Sequence, residues 1–158
     1  MSTYAATTSV SVEKSEAELK SVLRRFGADS VLSGNEGTTH VVRFRYEGIY
    51  CQFQMELPDP NEHKFTHHSR GKRTAASAEE QWEQACRSTW RTFVLAVKAK
   101  LAMVETQISS FDVEFSPYVL LPDGTTAGDH MQVAIQRAYS DGQMPDFSML
   151  ALPAGGES

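Results

Sequence analysis

Positive charge is concentrated in one stretch of an otherwise acidic chain. Between Pro58 and Ala76 the sequence P-D-P-N-E-H-K-F-T-H-H-S-R-G-K-R-T-A-A carries His63, Lys64, His67, His68, Arg70, Lys72 and Arg73. Residues of these types can do two kinds of chemistry, holding a metal or holding an anion. His63, His67 and His68 with Glu62 offer zinc donors, but no cysteine and no second close-spaced pair completes a tetrahedral set, so no metal is expected. Anion binding is the better reading, because two further basic groups lie elsewhere in the chain. Arg43 and Arg45 alternate along a strand-like run, and a turn at Glu47-Gly48 sets Arg43 across from Gln52 and Arg45 across from Tyr50. Guanidiniums for phosphates, a flat ring for stacking and an amide for tolerant hydrogen bonds are what single-stranded nucleic acid requires. Arg87, Arg91 and Lys98 form the third group, falling within about 40° of one another on a helix. Glu83 stands four residues before Arg87 at salt-bridge spacing, whereas Arg91 and Lys98 have no acid three or four residues away.

The carboxylates give less. Asp112 with Glu114, and Asp123 with Asp129 and His130, match no hydrolase or two-metal pattern, and acids flanking a D-G turn more often serve the turn itself. The chain has no G-x-S-x-G, phosphate-binding loop or dinucleotide-binding glycine pattern. The reading is therefore a binding protein with no catalytic residue and no cofactor. Its candidate contacts are Arg43, Arg45, Tyr50, Lys64, Arg70, Lys72, Arg73, Arg87 and Arg91.

These side chains need a scaffold, and the 158 residues, 41% hydrophobic and 22% charged, suit one domain over residues 1–150 with frayed ends at 1–9 and 151–158. A net charge of −5 excludes a surface that is basic throughout. Cys51 and Cys86 fall on apolar faces, which favours core filling in a reducing cytoplasm over a disulfide framework. The N-terminus lacks a signal-like apolar segment, and no run of about 18 apolar residues occurs, so no membrane partner is expected.

The scaffold is organised around Ser77–Glu105, a helix predicted from its lack of Gly and Pro, with Ser77 as N-cap. Trp82, Cys86, Trp90, Phe93, Val97, Leu101 and Val104 recur at steps of three and four, forming an apolar stripe that must be covered. A first helix is predicted over Glu13–Phe26, closed by Gly27. A short strand near Asp29–Ser33 and a Gly34–Gly37 loop lead into the hairpin Thr39–Tyr46 and Ile49–Leu57, whose alternation places both apolar sets on one face. Residues 58–76 read as irregular. Phe111, Phe115, Tyr118, Val119 and Leu120 form a second apolar cluster, Leu121–Gly124 a turn, and Thr125 or Thr126 the cap of a last helix to about Tyr139, with Met131, Ile135, Ala138 and Tyr139 turned inward. The expected fold is α+β: an N-terminal helix, a three-stranded antiparallel meander on a long central helix, and a smaller helical C-terminal part.

Three stretches carry a resemblance. Val12–Ala28, Trp82–Leu101 and Phe111–Gly128 together resemble a family of small proteins encoded by tailed phages and prophages. The resemblance implies a phage-derived protein working in the cytoplasm of a bacterial host. The order helix, meander, long helix is also similar to the core of the single-strand annealing proteins of recombination, which implies a basic groove for nucleic acid. The resulting expectation is a phage accessory protein that binds nucleic acid, single-stranded by preference. The alternative is one that binds and inhibits a host enzyme or defence protein, and homo-oligomerisation through the long helix is a third possibility.

Overall fold

The computed structural model describes residues 5–145. Helix α1 (Val12–Phe26) starts where the Ser11 hydroxyl accepts from the Lys14 N–H and carries Glu13 in its first turn and Arg24 and Arg25 in its last. It stops at Gly27, whose φ of 122° lets the Gly27 N–H reach the Arg24 carbonyl and the Ala28 N–H the Leu23 carbonyl. A side chain there would also press on the Tyr46 ring, 3.3 Å from an added Cβ.

Strands β1 (Ser30–Glu36), β2 (Thr39–Tyr46) and β3 (Ile49–Glu56) form an antiparallel sheet in the order β1-β2-β3. Glu47 and Gly48 both take positive φ, 49° and 82°, the combination that matches a two-residue turn to strand twist. This fixes the register that alternation demands, pairing Tyr46 with Ile49, Phe44 with Cys51 and Val42 with Phe53. The first strand is longer than the sequence suggested. Gly34, Asn35 and Glu36 extend it opposite Val41, His40 and Thr39, and the reversal uses only Gly37, at φ 62°, and Thr38. Two glycines three residues apart imitate a loop, but Gly34 is an ordinary strand residue.

The segment read as irregular contains regular structure. Helix α2 (His63–Thr66) leads into a two-residue-stranded hairpin, β4 (His67–His68) with β5 (Gly71–Lys72). Buried Phe65 anchors it, the Trp82 indole N–H donates to the Pro58 carbonyl at 2.6 Å, and the Arg73 N–H donates to the Thr66 carbonyl at 2.8 Å. Helix α3 follows as Ala75–Glu105, capped by Thr74 and not by Ser77, whose own N–H donates to the Thr74 hydroxyl. Cys86, Trp90, Val94, Val97 and Leu101 are its buried stripe, spent on the interior together with Leu19, Leu23, Val42, Phe44, Cys51, Phe53 and Phe115.

Helix α4 (Phe111–Phe115) packs on α3 and leads through a 3₁₀ turn (Ser116–Tyr118) to Val119 and Leu120 at the outer edge of β3. There the Leu120 N–H donates to the Tyr50 carbonyl at 2.8 Å, and Val119 bridges Cys51. Helix α5 (Ala127–Asp141) begins with a capping box between Thr126 and Asp129. It rests on the 3₁₀ turn, so closely that a Cβ at Gly128 would meet the Pro117 carbonyl oxygen at 2.6 Å. Contrary to the expected inward set, Ile135 and Tyr139 are 42% and 89% exposed, while Met131 and Ala138 are half-buried. Among the described residues α5 packs chiefly on the 3₁₀ turn, through its first turns. Among the described residues no helix is long and apolar enough to cross a membrane.

Candidate nucleic-acid interface

The alternation that sends Val42, Phe44, Cys51 and Phe53 inward sends Arg43, Arg45, Tyr50 and Gln52 to the other face of the sheet. Among the described residues no helix covers Tyr50, 41% exposed, or Leu32, 62% exposed, on that outer face. Arg43 lies along the sheet, its Nε and Nη2 donating to the Gln52 Oε1 at 3.1 and 2.6 Å, which leaves Gln52 buried beneath it. The Arg45 guanidinium sits 5.7 Å from the centre of the Tyr50 ring and donates to Asp29 Oδ1 at 2.7 Å. That pairing holds the Asp29 carboxyl below its usual range and raises Arg45 above its own. The cross-strand pairs assemble as the sequence required. Asp29, at the junction of α1 and β1, is a member that sequence reasoning missed.

The other two basic groups do not join them. The chain leaves β3 for the hairpin segment at Glu56, six residues or about 20 Å along the strand from Tyr50, and α2 of that segment packs on α3. At that end of β3, on the outer face, lies the row Glu36, Thr39, Glu56, in which the Thr39 hydroxyl donates to Glu56 at 2.7 Å. Those carboxylates repel phosphate. Within the hairpin segment Lys64 pairs with Glu62 at 2.7 Å and the Arg73 Nε donates to the His67 carbonyl, while Arg70 and Lys72 stand exposed. The His63 and His67 rings stack in parallel at 4.3 Å, His67 Nδ1 meets the Thr66 hydroxyl at 2.9 Å, and His68 Nδ1 accepts from the Arg70 N–H. Among the described residues no group of three or more His, Cys, Asp or Glu is placed to hold a metal ion.

The helix cations lie on the opposite side of the sheet, because α3 packs against the inner face through Trp90 on His40 and Phe93 on Phe53. Arg91 and Lys98 both bond to Glu18 of α1, Lys98 at 2.8 Å, and the two cations hold the Glu18 carboxyl below its usual range. Absence of an acid nearby in sequence makes them look free; their partner comes from another helix. Arg87 bonds Gln84 at 2.8 Å and lies 3.5 Å from Glu83, and the Gln84 amide donates to the Ala6 and Thr8 carbonyls. Arg87 thus braces the N-terminal segment. The nine candidate residues therefore fall on three parts of the molecule, of which the outer face combines two arginines with an open tyrosine ring.

The C-terminal acids serve structure. Asp123 accepts from the Thr125 N–H and hydroxyl, and Asp129 from the Thr126 N–H, which lowers both carboxyls. Cys51 and Cys86 are buried and free, and burial pushes the Cys51 thiol up to about 12 and the Cys86 thiol upward as well. No family model matches the chain, and no curated protein or solved structure matches it.

Proposed function

We propose that the outer face of the sheet binds single-stranded nucleic acid, with the Tyr50 ring as a stacking platform and Arg43 and Arg45 as the phosphate contacts. The observation that carries this reading is the open row Arg45–Tyr50 beside Arg43, an aromatic ring with a guanidinium 5.7 Å from its centre on a surface no other described element covers. The acid row at Glu36 and Glu56 confines the footprint to a few nucleotides, and Arg70 and Lys72 supply a remote, secondary attraction. An accessory role in a phage-infected bacterial cytoplasm is part of the same proposal, and rests on the sequence resemblance of Val12–Ala28, Trp82–Leu101 and Phe111–Gly128 alone.

Anisotropy of a labelled oligonucleotide across a salt series tests it. Two single-strand phosphate contacts give a log–log slope of about −1.4, and Arg43→Ala with Arg45→Ala flattens it. Tyr50→Ala weakens binding about tenfold or more without changing the slope. No binding at low salt removes the proposal.

A second reading, binding to and inhibiting a host enzyme or defence protein, is favoured by α5, whose Val133, Ile135 and Tyr139 leave apolar surface in solvent. A complex that survives nuclease treatment and is lost in Tyr139→Asp supports that reading; one retained in Tyr139→Asp rejects α5 as its surface.

A further inference from the structure

The two edges of the sheet are finished differently. β3 is closed along part of its length by Val119 and Leu120, whereas β1 pairs with β2 alone, and among the described residues no other element hydrogen-bonds to its backbone. Which groups β1 leaves open follows from its hairpin. With a two-residue turn at Gly37-Thr38, Glu36 and Thr39 exchange hydrogen bonds, as do Gly34 with Val41 and Leu32 with Arg43, so Val31, Ser33 and Asn35 point N–H and C=O outward. The strand S-V-L-S-G-N-E has one charged residue, no proline and no lysine, the devices by which a free edge is normally protected.

We infer that this edge is a docking site for β1 of a second copy of the chain, paired antiparallel about Ser33 to make a continuous six-stranded sheet. That centre is the register that uses Val31, Ser33 and Asn35 of both copies, giving about six inter-chain backbone bonds. It also sets Leu32 of one copy opposite Gly34 of the other, in a closely spaced pair with Cα atoms about 4.5 Å apart. The fit is specific. No heavy atom lies within 4 Å of the Cβ position at Gly34, and a shallow hollow of about 340 Å³ opens there, lined by Leu32, Gly34, Val41 and Arg43. The Leu32 side chain of the second copy fills that hollow and loses its own exposure. Glu36 lands beside Ser30 of the second copy, one strand from its Arg45, whose charge Asp29 already balances, so the fit of Leu32 over Gly34 and not charge selects the register. This pairing stands whether or not the outer face binds nucleic acid. It uses β1 and not the long helix, whose apolar stripe is already covered.

Light scattering over a dilution series, with no nucleic acid present, tests the pairing. The concentrated protein is expected to approach twice the chain mass of 17.5 kDa. Asn35→Pro removes an outward N–H without touching the β1–β2 ladder, and is expected to remain at the single-chain mass with unchanged circular dichroism. Should Asn35→Pro fail to fold, the register is read directly by mixing Leu32→Cys with Gly34→Cys under oxidation. The mixture cross-links efficiently, each variant alone does not, and the native cysteines are too buried to interfere. A wild-type chain that stays at 17.5 kDa at every concentration, or a mixture that does not cross-link, overturns the proposal.

Discussion

Phe44 and Arg45 are neighbours in sequence and opposites in circumstance. On the inner face Phe44, with Val42, Cys51 and Phe53, is sealed against α1, α3 and α4, and its ring meets Phe53 and Phe115 at 5.9 Å each. On the outer face Arg45, with Arg43 and Tyr50, meets solvent, and its position is fixed by one carboxylate and one ring. The period of the strand assigns each residue to a side. What it finds there is decided by the rest of the fold: hydrophobic packing on one side, ion pairing and open surface on the other. One face therefore carries stability, and the other is free to carry recognition.

The largest effect that separates the two faces is a truncation. Phe44→Ala is expected to cost about 3–5 kcal/mol of stability, measured by urea unfolding, because it leaves a cavity among rings that cannot collapse. Tyr50→Ala on the neighbouring strand is expected to change stability by only about 0.5 kcal/mol. A comparable loss from both would show that the outer face is also a packed surface.

An intermediate effect belongs to the contact between α1 and α3. Glu18→Ala leaves Arg91 and Lys98, both partly buried, without their common acid, and is expected to cost about 1–2 kcal/mol, between exposed and buried pairs. If these cations instead served a nucleic-acid site, Glu18→Ala would strengthen oligonucleotide binding while Arg91→Ala abolished it. The structure has them bridging two helices, so neither change is expected to alter affinity beyond the general effect of net charge.

Acid should reach the inner face before this bridge. His40 is buried beside Trp90 with Nε2 2.7 Å from the Ser33 hydroxyl, and burial lowers its pKa from the ordinary 6.5. The unfolded chain therefore takes up a proton that the folded chain resists. Stability is full above pH 6.5 and is lost as pH falls from there toward the folded value. The Glu18 carboxyl is also depressed, so its contribution is lost only at lower pH, below the unfolded value near 4.5. Urea midpoints measured between about pH 8 and 5 should fall in wild type, and His40→Asn should flatten that slope.

The features legible in the sequence are those whose cause is local. Glu47-Gly48, the Gly27 stop, a cap at Thr125 or Thr126, which the structure places at Thr126, and the alternation of β3 each arise within a few residues. Arg91 and Glu18 are 73 positions apart, and nothing near Arg91 announces that its charge is satisfied. The same holds for Asp29 with Arg45, and for Val119 and Leu120 closing the edge of β3. The hairpin at His67–Lys72 escapes a sequence reading because two-residue strands are too short to display a period, and its stability comes from Phe65, Pro58 and Trp82 outside it. The last helix misleads for a related reason. Its apolar residues follow a helical spacing, but only a surface made by other elements decides whether that face is covered.

The smallest effect is the most informative about the outer face. Asp29 holds Arg45 at 2.7 Å and places a negative charge beside the proposed phosphate position. If Arg45 meets phosphate, Asp29 is a competitor, and Asp29→Asn removes a repulsion that at about 8 Å in water is worth roughly a twofold change in affinity. The expected result is tighter oligonucleotide binding by that factor, fading as salt screens the charge, with Arg45→Ala/Asp29→Asn no tighter than Arg45→Ala alone. If Asp29 serves instead to aim the guanidinium at the Tyr50 ring, the same Asp29→Asn substitution weakens binding and the loss persists at high salt. The two roles predict opposite signs, and the sign tells whether the ion pair on the open face restrains the site or builds it.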